Sequence, residues 1–128
     1  MIHTLSLTIS GQCPSGKNAM LINPRTGHHY PGKRFAAWRE GALWELKPQT
    51  KGLDWLPIDE PVTVFIRYWA KDKRRRDAPG IIDALWHLLE KAEVVTDDTY
   101  LGGLGASLRY EFMEIDRKNP RVRIDIVK

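Results

Sequence analysis

The hydrophobic pattern of this chain predicts an α+β (α/β) fold: one mixed β-sheet with two main helices, in the order β-α-β-α-β-β. Three observations carry that prediction. Apolar and polar residues alternate near both ends of the chain, the period of a half-buried strand. Two internal stretches switch to spacings of three and four, the period of a helix with one buried face. Between those stretches lies a strand signal that is apolar on both faces. At 128 residues and 42% apolar content, the chain makes one domain, residues 1–128, with a core that needs no staples.

Leu5, Leu7 and Ile9 alternate with Thr4, Ser6, Thr8 and Ser10, which predicts the first strand. Gly11 to Asn18 is rich in turn formers and reads as a loop. Asn23-Pro24-Arg25-Thr26-Gly27 reads as a turn, and His28-His29-Tyr30 as a short extended piece. From Lys33 to about Lys47, Phe35, Trp38, Ala42 and Leu46 share one helical face, and Pro48 supplies the stop. Pro61 opens the next strand, with Val62, Val64, Ile66 and Tyr68 on one face and Thr63, Phe65, Arg67 and Trp69 on the other. That pattern predicts a central strand covered on both sides. The second helix is expected to start near Pro79, because a first-turn residue loses nothing by lacking an N–H. Its buried stripe is Ile81, Leu85, Leu88 and Ala92, reinforced by Ile82 and Leu89, while Asp83, His87 and Glu90 line a polar stripe. After a Gly-rich stretch, strands are expected over 108–115 and 122–127, joined as a hairpin through Asp116-Arg117-Lys118-Asn119-Pro120.

Composition narrows the function classes. Cys13 is the only cysteine, which excludes an intrachain disulfide and a Cys-based zinc site. The N-terminus lacks the charged start and unbroken apolar run of a secretory signal, and no stretch approaches the length of a membrane span. A soluble protein of the cytoplasm is expected. Pro14-Ser15-Gly16-Lys17 is not a phosphate loop, because the glycine spacing and the following Ser/Thr are absent. The five tryptophans are expected mostly in the core. Net charge is only +4, but five of the six residues from Lys71 to Arg76 are basic. Such clustering is the electrostatic footprint of phosphate binding, and it equally suits a solvated loop.

That basic run leads into Asp77, and Asp97-Asp98 closes the unit after the second helix. Alone, Asp77 could cap a helix and the acidic pair could mark a turn. With Asp83 they form a set of carboxylates of the kind that Mg²⁺ takes into an octahedral oxygen shell. Asp77, Asp83, Asp97 and Asp98 are therefore candidate metal ligands, with Asp77, Asp83 and Asp98 the candidate catalytic set and Mg²⁺ the expected cofactor. Carboxylates repel a phosphodiester unless a metal and nearby cations offset their charge. Lys71, Lys73, Arg74, Arg75 and Arg76 are the candidate DNA-backbone contacts. Asp83 and His87 lie one helical turn apart, but two ligands do not make a zinc site.

Four features occur together: an N-terminal strand, a loop running from Pro14 to Asn18, a tyrosine-containing turn before the first helix, and Arg74-Arg75-Arg76-Asp77 followed at matching distance by Asp98. In this the chain resembles the RusA family of Holliday-junction resolvases, small homodimeric endonucleases often carried by prophages. The resemblance implies Mg²⁺-dependent cleavage of branched DNA, the four-way junctions of recombination and repair, by paired nicks from the two subunits. The family pattern is Asp-x-Asp-Asn-x-x-Lys. Here Asp77 matches its first carboxylate, but Pro79 stands at the middle carboxylate, Gly80 at the asparagine and Asp83 at the lysine. Asp83 is one helical turn beyond Pro79, which suggests a relocated ligand. The alternative is a non-catalytic branched-DNA-binding protein of the same fold.

Overall fold

The computed structural model describes residues 3–14, 20–74, 78–96 and 107–128. Strand β1 (Thr4–Ser10) has the strict alternation expected, with Leu5, Leu7 and Ile9 buried and the residues between them exposed. A small hairpin of β2 (Met20–Ile22) and β3 (His29–Pro31) follows, then helix α1 (Lys33–Thr50), strand β4 (Thr63–Ala70), helix α2 (Ala78–Lys91) and strands β5 (Ser107–Ile115) and β6 (Arg121–Val127). The main sheet has the order β1-β6-β4-β5, with β6 antiparallel to both neighbours and β4 parallel to β5. One mixed sheet carries both main helices, as the pattern predicts. Both helices bury their apolar stripes on the sheet face that presents Leu7, Ile9, Val64, Ile66, Tyr68, Val122, Ile124 and Ile126.

Three expectations need correction. Residues 116–120 do reverse the chain, but β5 and β6 are not a hairpin, because β4 lies between them. A turn sequence specifies a reversal; which strand fills the adjacent slot is decided by contacts far away in sequence. Helix α1 runs through Pro48 to Thr50 instead of stopping. The proline sits in the last turn, where it forgoes only the bond to Trp44 O, and Gln49 Nε2 donates to Glu45 O at 2.9 Å and Thr50 Oγ1 to Leu46 O at 3.1 Å as additional contacts in that turn. Finally, β4 is central, but among the described residues it is covered on one face only. On its other face Arg67 is exposed, Phe65 is half-buried, and Trp69 lies under the Arg121 guanidinium at 4.0 Å. The tryptophans divide accordingly: Trp38, Trp55 and Trp86 pack against the core, whereas Trp44 is exposed.

Helix α2 ends in a Schellman motif. Val94 N–H donates to Leu89 O at 2.9 Å and Glu93 N–H to Glu90 O at 3.1 Å, with Glu93 at φ 59° in the left-handed region. The chain then meets Ile58, which donates to Val94 O at 2.8 Å and accepts from Thr96 N–H at 3.0 Å. This tether anchors the crossover from β4 through α2 to β5. Among the described residues no helix is long and apolar enough to cross a membrane.

Candidate nucleic-acid interface

Strand directions determine which end of the sheet carries the candidate residues. Since β6 opposes both β1 and β4, and β5 follows β4, strands β1, β4 and β5 all finish at the same end. Helix α1 packs with Glu45 beside Ser10 and Gln49 beside Thr8, so its N-terminus also lies there. Helix α2 begins from that end too, with seven residues between it and the close of β4 at Ala70. Sites in sheets with parallel crossovers characteristically form at the strands' C-terminal ends.

Gln12 ties that end together. Gly11 leaves β1 at φ 87° and hydrogen-bonds Pro120 O at 2.8 Å, which turns the chain back over the sheet. The Gln12 side chain then donates to the Tyr68 hydroxyl and, at 3.1 Å, to Cys13 O, while its Oε1 accepts from Lys71 N–H at 3.0 Å. The first residue of the basic run is thus fastened to the loop after β1. Asp72 orders the next step, accepting from Arg74 N–H at 3.0 Å and pairing with its guanidinium at 3.9 Å. Lys71, Lys73 and Arg74 are all exposed. Arg75, Arg76 and Asp77 lie outside the described residues, as do Asp97 and Asp98.

Asp83 is exposed in the second turn of α2, on the same side as exposed Pro79 four residues earlier. Gly80 is buried beneath that turn, against the core. One turn beyond Asp83, His87 Nε2 is 3.2 Å from Arg39 Nη1. A guanidinium can only donate, so that ring nitrogen is the acceptor and its lone pair is engaged. Phe35 lies against the same imidazole, with ring centroids 6.0 Å apart. Among the described residues no group of three His, Cys, Asp or Glu side chains is placed to hold a metal. The only cysteine is unsuited to either role: burial pushes the Cys13 thiol far up from its ordinary value, and it is 1% exposed.

Run density singles out residues 71–76 and passes over a second electrostatic feature. No acidic residue precedes Glu40, while Lys17, Arg25, Lys33, Arg34 and Arg39 do. The first 39 residues therefore carry a charge of +5, while the other 15 basic side chains face all 16 acidic ones. Of the described part of that segment, the β2–β3 hairpin exposes Arg25, His28, His29 and Tyr30, and α1 begins with exposed Lys33 and Arg34. The signal that finds it is an absence of acids rather than a run of bases. Arg117 and Lys118, exposed in the β5–β6 connection, join the same end of the sheet. That connection is held by Asp116, which accepts from Asn119 N–H at 3.0 Å and from Arg121 Nη1 at 3.0 Å. The Asn119 N–H, and after it the Arg121 guanidinium, hold the Asp116 carboxyl below the usual carboxylate range.

An exposed basic end of this kind suits a polyanion. No family model matches the chain. Over 88 residues the chain is 32% identical to a protein of Aquifex aeolicus (strain VF5), the crossover junction endodeoxyribonuclease RusA, in an alignment covering 69% of this chain and 68% of that relative. With that identity spread over two-thirds of both sequences, the chain belongs to the RusA family.

Proposed function

We propose that the protein is a Mg²⁺-dependent endodeoxyribonuclease that resolves four-way DNA junctions by paired nicks, one from each subunit of a homodimer. The observation that carries this reading is the exposed basic run of Lys71, Lys73 and Arg74 leading toward the helix that exposes Asp83. Kinship with a crossover junction endodeoxyribonuclease supports it. The donor set is chemically apt: carboxylates alone, the hard oxygen ligands that Mg²⁺ prefers. Asp77, Asp83 and Asp98 would hold the ion, with Asp97 in support. When bound, the ion supplies charge neutralisation at the phosphodiester and a more acidic water. The chain's own contribution is orientation and electrostatics. Lys71, Lys73 and Arg74 to Arg76 bind backbone phosphates without reading sequence, and the acid-free N-terminal segment extends that field.

Asp83 replaces the missing middle carboxylate in this reading, because it shares an exposed side of α2 with Pro79. Asp83→Asn is expected to abolish Mg²⁺-dependent nicking of a synthetic four-way junction while junction binding in Ca²⁺ persists or tightens. Asp77→Asn and Asp98→Asn should behave alike, and Asp97→Asn more mildly. Because Asp83 is exposed, its exchange should alter stability by no more than about 0.5 kcal/mol. Nicking by Asp83→Asn at the wild-type rate would sink the relocated ligand. The departures at Pro79 and Gly80 favour one other reading, a branched-DNA-binding protein that does not cut. Wild-type protein that binds the junction yet leaves it intact would establish that reading instead.

A further inference from the structure

The two edges of the main sheet are treated differently. At β1 the outward backbone groups are covered by α1: Gln49 accepts from Thr8 N–H at 2.8 Å and donates to Thr8 O at 2.9 Å, and Glu45 accepts from Ser10 N–H at 2.9 Å. At β5, no described residue pairs with the strand on the side away from β4. Ser107 N–H points inward to Val62 O at 3.3 Å. By the alternation of a parallel ladder, Leu108, Tyr110 and Phe112 then turn their N–H and C=O groups outward. The strand also carries apolar surface, with Leu108 39%, Phe112 55% and Met113 43% exposed. Natural edges are usually blunted by proline, lysine or a very short strand, and Ser107–Ile115 has none of these. The register shift against Tyr68/Trp69 breaks its regularity only after Phe112.

We propose that β5 is where two copies of this chain join, by antiparallel strand pairing across a two-fold axis at Tyr110. A second copy is the occupant because the strand is complementary to itself about that residue. Pairing Tyr110 with its own counterpart sets Arg109 opposite the partner's Glu111 and Leu108 opposite the partner's Phe112. The two charges, exposed Arg109 and half-buried Glu111, share one face, where they already lie 2.7 Å apart within a single chain, so the pairing makes a closed four-charge cluster. The apolar pairs lie on the other face, beside half-buried Tyr110. Antiparallel edge pairing closes under two-fold symmetry and leaves no further edge of this kind open. The inference gives the dimer of the proposed function a surface and rests on that reading only for the dimer's purpose.

Charge swaps test it without depending on catalysis. Wild-type protein is expected to sediment as a dimer at micromolar concentration. Arg109→Glu and Glu111→Arg alone each set like charges opposite one another twice, so each should weaken the dimer about tenfold. The double variant restores opposite charges across the axis and should return to the wild-type dissociation constant. Phe112→Ser should also weaken the dimer, and circular dichroism checks that each variant is folded. A monomeric wild type overturns the interface, as does a dimer indifferent to all four variants or a double variant no tighter than the singles. If the nuclease reading fails instead, dimers that obey the swaps would neither bind nor nick junction DNA.

Discussion

Replacing Gln12 by methionine preserves the length of the side chain and removes every hydrogen bond that it makes. Three bonds are lost: to the Tyr68 hydroxyl, to Cys13 O and from Lys71 N–H. They differ in value. Lys71 N–H is at the exposed end of β4, where water can take over as acceptor, so its loss costs about 0.5 kcal/mol. The bonds to Cys13 O and the Tyr68 hydroxyl are partly buried, and about 1 kcal/mol each is expected from them. The total of about 2.5 kcal/mol corresponds to a fall in Tm of about 10 °C for a domain of this size. Thermal unfolding followed by circular dichroism measures it. A second readout separates anchoring from charge. The substitution leaves all the cations in place, so junction affinity should weaken while the slope of log affinity against log salt stays unchanged. A Tm within 2 °C of wild type, or a flattened salt slope, would refute the view that Gln12 orders the start of the basic run.

Two further outcomes concern the scaffold. Gly41 is exposed in the middle of α1 and a Cβ there would meet nothing within 4 Å, so Gly41→Ala should raise stability by about 0.5–1 kcal/mol in a denaturant titration. Asp116 has a lowered carboxyl pKa, so it stabilises the fold fully above the ordinary carboxylate range, and that contribution disappears as pH falls through the folded-state value. Thermal midpoints of wild type and Asp116→Asn should therefore differ at neutral pH and converge in acid; a gap independent of pH would mean that the charge is irrelevant.

Local patterns were legible wherever their causes are local. The alternation of β1 and the stripes of both helices appear in the structure as read, because side-chain period and burial are the same fact at that scale. The insertion of β6 between β1 and β4 was not legible. It depends on pairings such as Leu5 with Ile126 and Val64 with Ile126, which join distant parts of the chain. Gln12 was invisible for the same reason, since its partners Tyr68 and Lys71 are 56 and 59 residues away. Of the candidate site, Lys71, Lys73, Arg74 and Asp83 are exposed as a site requires, while the β2–β3 hairpin gave only a faint extended signal in His28-His29-Tyr30.

Joined through β5, two copies would form one continuous sheet, and antiparallel pairing has a consequence for the substrate. The strands of the two copies run in opposite directions, so the basic end of one lies beside the strand starts of the other. A two-fold axis perpendicular to the sheet keeps all four main helices on a single face. Nine residues of β5 at about 3.3 Å each make the two basic ends about 30 Å apart and outward-facing. Phosphates gripped at one end therefore cannot be gripped at the other without nucleic acid that continues across or around the sheet. A branched molecule, whose strands leave the crossing in opposed directions, would meet that geometry with one strand at each end. A short linear duplex would engage one end at a time. On this arrangement, a preference for junctions would arise from the spacing of two identical basic surfaces, and neither surface would need to recognise a branch by itself.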